Sequence, residues 1–67
     1  MTLHEAIITI LGRNNGLTTS EIAKAINSEN LYSRNDEKPL DARQISARIK
    51  QYSHFFIRDG RQIYLKK

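Results

Sequence analysis

The C-terminal stretch DARQISARIKQYSHFFIRDGRQIYLKK, from Asp41 to Lys67, joins a helical pattern directly to a hairpin signal. It holds seven Lys or Arg residues and two acids, a balance of +5. Residues 1–40 hold four bases and five acids, a balance of −1. Such an asymmetry between the two halves of a chain is informative about partners, because clustered positive charge favours an acidic one. The positive charge therefore collects where the helix meets the hairpin.

The hairpin signal is the pair Asp59-Gly60 between two apolar-rich runs, which predicts a two-residue type I′ turn. In that register the opposed residues are Arg58 with Arg61, Phe56 with Ile63, and Phe55 with Tyr64. We expect the core side of the hairpin to carry Phe56, Ile63 and Leu65. The other side carries Phe55, Ile57, Gln62 and Tyr64.

A capping box of Asp41 with Gln44 predicts that the preceding helix runs from Ala42 to about Ser53. At 100° per residue, one face is expected toward the core and holds Ala42, Ile45, Ile49, Tyr52 and Ser53. The opposite face, without an acid, holds Arg43, Gln44, Ala47, Lys50 and Gln51, with Arg48 at its edge.

Two more helices precede this one. Apolar residues at helical spacing and a Thr2–Glu5 capping box predict a helix over Leu3 to Arg13. A second box, Thr18 with Glu21, predicts a helix from Thr19 to about Ser28, and Leu17-Thr18 is expected as a very short strand. The following segment LYSRNDEKPL is expected to be a loop, anchored on the core by at least one of Leu31, Tyr32 and Leu40.

Composition excludes several classes of protein. A chain of 67 residues without cysteine forms one small domain that has no disulfide and no thiolate ligand. No apolar run approaches the roughly 20 residues that span a bilayer, and no leader pattern is present at the N-terminus. His4 and His54 are far apart and lack partners at metal-ligand spacing. We expect no metal, no cofactor and no catalysis, because no nucleophile or phosphate-loop motif occurs.

Three helices followed by a hairpin indicate a mainly α fold of the α+β class, a winged helix-turn-helix with a two-stranded C-terminal wing. The chain resembles the HARE-HTH family of winged-helix domains through LHEAIITIL, GLTTSEIAKAI, KPLDARQISARI and FFIRDGRQIYL, taken in this order and spacing. The family's Lys-Thr-Pro-like turn is replaced here by Glu37-Lys38-Pro39. The resemblance implies a module of chromatin-associated proteins, bacterial transcription factors and restriction-type nucleases, with a role in DNA binding or protein recruitment.

The function expected from these features is binding of double-stranded DNA by a monomeric domain, in transcription regulation. The expected location is the cytoplasm, with nucleoid association in a bacterium, or the nucleus in a eukaryote. The third helix would enter the major groove, where Arg reads guanine and Gln reads adenine. Arg58 and Arg61 would contact phosphates, as would backbone N–H groups of residues 18–20. Lys66 and Lys67 would add phosphate contacts or be solvated. The predicted DNA-binding residues are Arg43, Gln44, Ala47, Arg48, Lys50, Gln51, Arg58 and Arg61.

Each of these assignments has an alternative in which the residues have only a structural role. The basic helix face would then be solvated, and the two arginines would keep the hairpin edge soluble. Phe55 and Tyr64 would form an exposed aromatic patch or, as favoured here, cover the core and the hairpin, and Tyr32 would pack. The whole domain is alternatively a protein-interaction module, or a DNA-targeting accessory domain, for example the N-terminal domain, of a larger nuclease or transcription protein.

Overall fold

The computed structural model describes residues 2–32 and 39–66. The order of elements is α1 (Leu3–Arg13), β1 (Leu17–Thr18), α2 (Thr19–Glu29), α3 (Ala42–Gln51), β2 (Phe56–Asp59) and β3 (Gln62–Leu65). The predicted helices, the short strand at Leu17-Thr18 and the hairpin are all confirmed. Most of the predicted loop (residues 33–38) and the predicted contact by Lys67 lie outside the described residues.

Each helix begins at a capping box. Thr2, Thr18 and Asp41 are the N-caps. The side chain of the residue three positions on accepts the backbone N–H of the N-cap in return. In the third box, for example, the Asp41 N–H donates to Gln44 Oε1 at 2.9 Å and the Gln44 N–H donates to Asp41 Oδ1 at 3.1 Å. These bonds satisfy N–H groups that have no partner inside a helix, which stabilises each helix start by about 1 kcal/mol.

Helix α3 ends at Gln51, two residues before the predicted end near Ser53. Tyr52 leaves helical angles with φ −114° and ψ 43°, and the chain turns so that the Phe55 N–H donates to the Tyr52 carbonyl at 3.0 Å. Ser53 is consequently exposed rather than on the core face. A difference of two residues is common at helix ends. The turn leads directly into β2, whose first residue, Phe56, is buried in the core.

The sheet has three strands, in the order β1-β3-β2, and not the two of the predicted wing. Leu17 pairs with Ile63 and Thr18 with Gln62, so the short strand before α2 is antiparallel to the last strand of the chain. This pairing fastens the hairpin to the start of α2, and it places β2 at the edge of the sheet.

The predicted hairpin register is wrong by one turn position. Asp59 pairs with Gln62 and Arg58 with Ile63, so the loop consists of Gly60 and Arg61 rather than Asp59 and Gly60. Gly60 has φ +64°, whereas the φ of Arg61 is not positive. This combination matches a type II′ turn with glycine at its first central position. Arg58 and Arg61 therefore do not face each other.

The predicted core side of the hairpin is nevertheless confirmed, because moving the loop by one residue shifts the strand pairing by two. Side chains alternate with a period of two along a strand, so a shift of two preserves the face. Phe56 and Ile63 are buried, and Leu65 packs against the core. The core is built from all three helices, the hairpin and the residue before the third cap: Leu3, Ala6, Ile7, Ile10, Leu11, Ile22, Ala23, Ile26, Leu40, Ile45, Ile49, Phe56 and Ile63.

The predicted anchoring of the loop is also confirmed. Leu40 is buried, and Leu31 and Tyr32 pack against the core. Asn27 on α2 strengthens this anchor, because its amide donates to the Leu40 carbonyl and accepts from the Leu40 N–H, both at 3.0 Å. The last residue before the third cap is therefore tied to the second helix.

Candidate functional site

The outward face of α3 is formed by Arg43, Ala47 and Lys50, which are all exposed. They lie opposite Ile45 and Ile49, as the helical period requires. The Arg43 side chain is 94% exposed and lies 3.9 Å from the Asp41 carboxylate, an ion pair too solvated to hold it in place. The structure thus places these three side chains outward as predicted, while their contact with DNA stays a prediction.

The other three predicted residues of α3 lie along its edge near Tyr32. Gln44 and Arg48 are half-buried, and Gln51 is exposed. Together with Ala47 they border a groove of about 220 Å³ against Leu3, Tyr32 and Leu40. The predicted basic face is therefore divided between an outward surface and a polar edge that borders this groove.

The Gln44 side chain takes part in the capping box of α3. Its Oε1 atom accepts the Asp41 N–H in the capping box, which orients the amide along the helix start. A bidentate contact with adenine requires both the amide oxygen and the amide nitrogen in one plane. The Gln44 amide oxygen is thus also used in helix capping, and the contact of Gln44 with DNA stays a prediction. Gln51 is less constrained, since its Oε1 atom lies 3.4 Å from Arg48 Nη1 at the limit of a hydrogen bond.

The two hairpin arginines differ from each other. Arg58 projects from the core-facing side of β2 toward α3, where its Nη2 donates to Ser46 Oγ at 3.0 Å. Arg61 is exposed in the turn. Sequence reasoning missed Ser46, because its position on α3 falls between the core face and the outward face. Only the packing of the hairpin beside α3 reveals its partner.

Arg58 and Arg61 share a groove of about 390 Å³ with Thr18, Thr19 and Ser20 at the start of α2. The groove thereby brings together the two predicted sets of phosphate contacts, the hairpin arginines and the backbone N–H groups of residues 18–20. The Thr18 N–H is engaged, however, because it donates to Glu21 Oε1 at 2.9 Å. Thr19 and Ser20 begin the helix and have no intrahelical acceptor for their N–H groups.

The carboxylates of the first two capping boxes are held in their charged form. The bond from the Thr18 backbone N–H, with a further one from its hydroxyl, lowers the pKa of Glu21 below its ordinary value of 4.5. The pKa of Glu5 is lowered in the same way by Thr2. The negative charge of Glu21 thus lies at the start of α2, where it competes with any bound phosphate.

Histidines and aromatic residues form a row at the far end of α3. The His4 ring stacks on Tyr52 with a centroid distance of 4.2 Å, and His54 lies 4.0 Å from Phe55. Tyr64 is half-buried and packs over Gly16, whereas Phe55 is 39% exposed. Within residues 2–32 and 39–66, no group of three His, Asp or Glu side chains is arranged to hold a metal ion.

Comparison with known proteins places the chain in a family. The family model HARE-HTH, described as the HTH domain of HB-1, ASXL and restriction endonuclease, matches residues 1–64. The chain is a HARE-HTH domain. Searches of curated proteins and of solved structures returned no match. Membership of a helix-turn-helix family connects this HARE-HTH domain with nucleic acid at a coarse level. None of the helices in its described part is long and apolar enough to cross a membrane.

Proposed function

We propose that this HARE-HTH domain binds double-stranded DNA, as a monomer and without catalysis, with α3 in the major groove. The observation that carries the proposal is the outward face of α3. Arg43 and Lys50 flank the small Ala47 there, so two cations project while the helix backbone is open to close approach. A major groove about 12 Å wide accepts one α-helix, and Arg or Lys is the usual partner of guanine.

The hairpin supplies the second point of contact. Arg61 at the tip and Arg58 beside Ser46 lie on the α3 side of the hairpin, around grooves that α3 also borders. We assign these arginines to phosphates, because contacts to the backbone position a protein on the duplex while contacts to base edges specify sequence. A single domain with so few contacts is expected to bind in the range typical of non-specific association, with Kd about 10⁻⁴ to 10⁻⁶ M.

The test is a binding titration of a mixed-sequence duplex at several salt concentrations, with Lys50→Ala as the variant. Loss of one phosphate-neutralising charge is expected to weaken binding and to lower the slope of log K against log salt by about one. Lys24→Ala, on an exposed position of α2 that borders neither groove of the hairpin, is the matched control and should leave the slope unchanged. Equal slopes for Lys50→Ala and the wild-type domain would remove α3 from the interface.

A second function, recruitment of another protein, is favoured by one observation. Phe55, just after the end of α3, and Ile57, on the outer side of the hairpin, are 39% and 47% exposed. An apolar interface responds weakly to salt, whereas phosphate contacts collapse as salt rises. A binding partner whose affinity persists at high salt and falls on Ile57→Ser would support this function instead.

A further inference from the structure

Two neighbouring grooves separate α3 from the hairpin, and they share the same two residues. The first, of about 470 Å³, is bordered by Ser46, Ile49, Lys50, Ser53, Phe56 and Arg58. The second is the groove of about 390 Å³ that reaches Arg61 and the start of α2. Ser46 and Arg58 border both. We call the two grooves together the α3–hairpin channel.

The bond between Arg58 and Ser46 lies where the two grooves meet. Arg58 donates from Nη2 to Ser46 Oγ at 3.0 Å, which directs its guanidinium from the hairpin across to α3. A guanidinium has five N–H donors in a planar fork, so this one bond leaves donors for a ligand on either side. The planar fork also matches the geometry of phosphate oxygens better than an ammonium group does.

Cations and hydroxyl groups border both grooves of the channel, and the first groove is also bordered by the apolar Ile49 and Phe56. Among the described residues that border it there are three cations, Lys50, Arg58 and Arg61, and no Asp or Glu. Hydroxyl groups accompany the cations throughout: Thr18, Thr19, Ser20, Ser46 and Ser53. The Thr18 hydroxyl is engaged with Glu21, but the cations and the other hydroxyl groups can donate hydrogen bonds to a chain of negatively charged oxygens.

We propose that the α3–hairpin channel holds the sugar–phosphate backbone of one nucleic-acid strand, with successive phosphates on the two sides of Arg58. Lys50 contacts the phosphate on one side and Arg61 the phosphate on the other. Ser46 is a positioning residue, which acts by holding Arg58 across the channel. This assignment rests on the proposed DNA binding for its natural ligand, and of the outward face of α3 the channel shares only Lys50.

The experiment compares Arg58→Gln, Ser46→Ala and their combination in duplex titrations at about 50 and 200 mM salt. Arg58→Gln is expected to weaken binding about tenfold at the lower salt and to lower the salt slope by about one, because a phosphate contact is lost. Ser46→Ala is expected to weaken binding about fivefold in the wild-type background and to have no effect when Arg58 is already Gln.

Folding defects do not mimic this pattern. Ala has a higher helix propensity than Ser, so Ser46→Ala should not lower the thermal midpoint of unfolding. Equal effects of Ser46→Ala in both backgrounds would overturn its positioning role. Arg43→Gln provides the contrast on the outward face: if it weakens duplex binding while Arg58→Gln and Ser46→Ala do not, the channel assignment is wrong and the proposed DNA binding stands.

A short single-stranded oligothymidylate tests the channel independently of duplex binding by α3. This ligand can lie in the channel but presents no major groove to α3, and its binding is followed through the amide NMR signals of the domain. Shifts at Ser46, Ser53 and Arg61 that vanish in Arg58→Gln would support the channel even if the duplex fails to bind. If neither the duplex nor the oligothymidylate perturbs these amides at low salt, both proposals are overturned.

Discussion

Tyr64 lies over Gly16 at the point where the chain leaves α1 and enters β1. A Cβ atom placed on Gly16 would lie 2.8 Å from the Tyr64 ring, and the glycine has φ +85°. The Gly16 N–H also donates to the Ile63 carbonyl at 3.0 Å, which holds this conformation in the sheet. Both the backbone and the space above it therefore require glycine.

Gly16→Ala is expected to lower the free energy of unfolding by about 1 to 3 kcal/mol, since positive φ and the ring contact both oppose a methyl group. Urea denaturation measures this change. Gly12→Ala in α1 is the matched control, because no atom lies within 4 Å of its added Cβ. The control should stabilise the domain by about 0.4 to 1 kcal/mol. Two substitutions with the same sign would contradict the local geometry described.

Asn27 acts at the same scale, through its paired hydrogen bonds to the Leu40 backbone. Asn27→Ala leaves a part-buried N–H and carbonyl without their partner, and we expect a loss of about 2 kcal/mol in the free energy of unfolding. Ser28→Ala, on an exposed position of the same helix, should change it by less than about 0.5 kcal/mol. Equal effects of the two substitutions in thermal denaturation would mean that the amide does not anchor the chain before α3.

At the scale of elements, the capping boxes connect helix stability with pH. Because the Thr18 N–H lowers the pKa of Glu21, the folded domain binds this proton less readily than the unfolded chain. The stabilisation is complete above the unfolded value of 4.5 and is lost as pH falls through the lower folded pKa. Glu5 contributes with the same sign at the start of α1.

Acidification from pH 7 to below about 4 is therefore expected to loosen the first turns of α1 and α2, as followed by amide hydrogen exchange of Glu5 and Glu21. Glu21→Gln is the control, because glutamine accepts the same hydrogen bond and does not titrate. In this variant the first turn of α2 should lose its acid dependence while that of α1 keeps it. Retained acid dependence in α2 would assign the effect to another carboxylate.

At the scale of the whole molecule, the charge asymmetry of the sequence becomes a property of one region. The positive half of the chain forms α3 and the hairpin, which lie side by side along the α3–hairpin channel. The affinity for phosphates at low salt would rise with this arrangement, because clustered cations together release counterions from the nucleic acid. The apolar outer side of the hairpin lies outside this region and offers the surface for the rival, protein-binding function.

Local chemistry made most of the fold predictable. The three helix starts followed from side chains three residues apart, and the core faces followed from apolar periodicity, because both depend on neighbours along the chain. The outward placement of Arg43, Ala47 and Lys50 followed for the same reason. The predicted position of the hairpin turn was wrong, because Gly60 fits either central position of a primed turn. Only the pairing with β1 and the packing on the core select the register.

By itself the sequence determined the order and type of the elements, the capping of each helix and the location of the positive charge. The tertiary structure alone decided the partner of Arg58, the engagement of Asn27 with Leu40 and the contact of Tyr64 with Gly16. These contacts join residues separated by 12 or more positions in the chain. No local pattern records them, because they form only after the hydrophobic faces of α1, α2, α3 and the hairpin have closed on one core and brought distant backbone segments together.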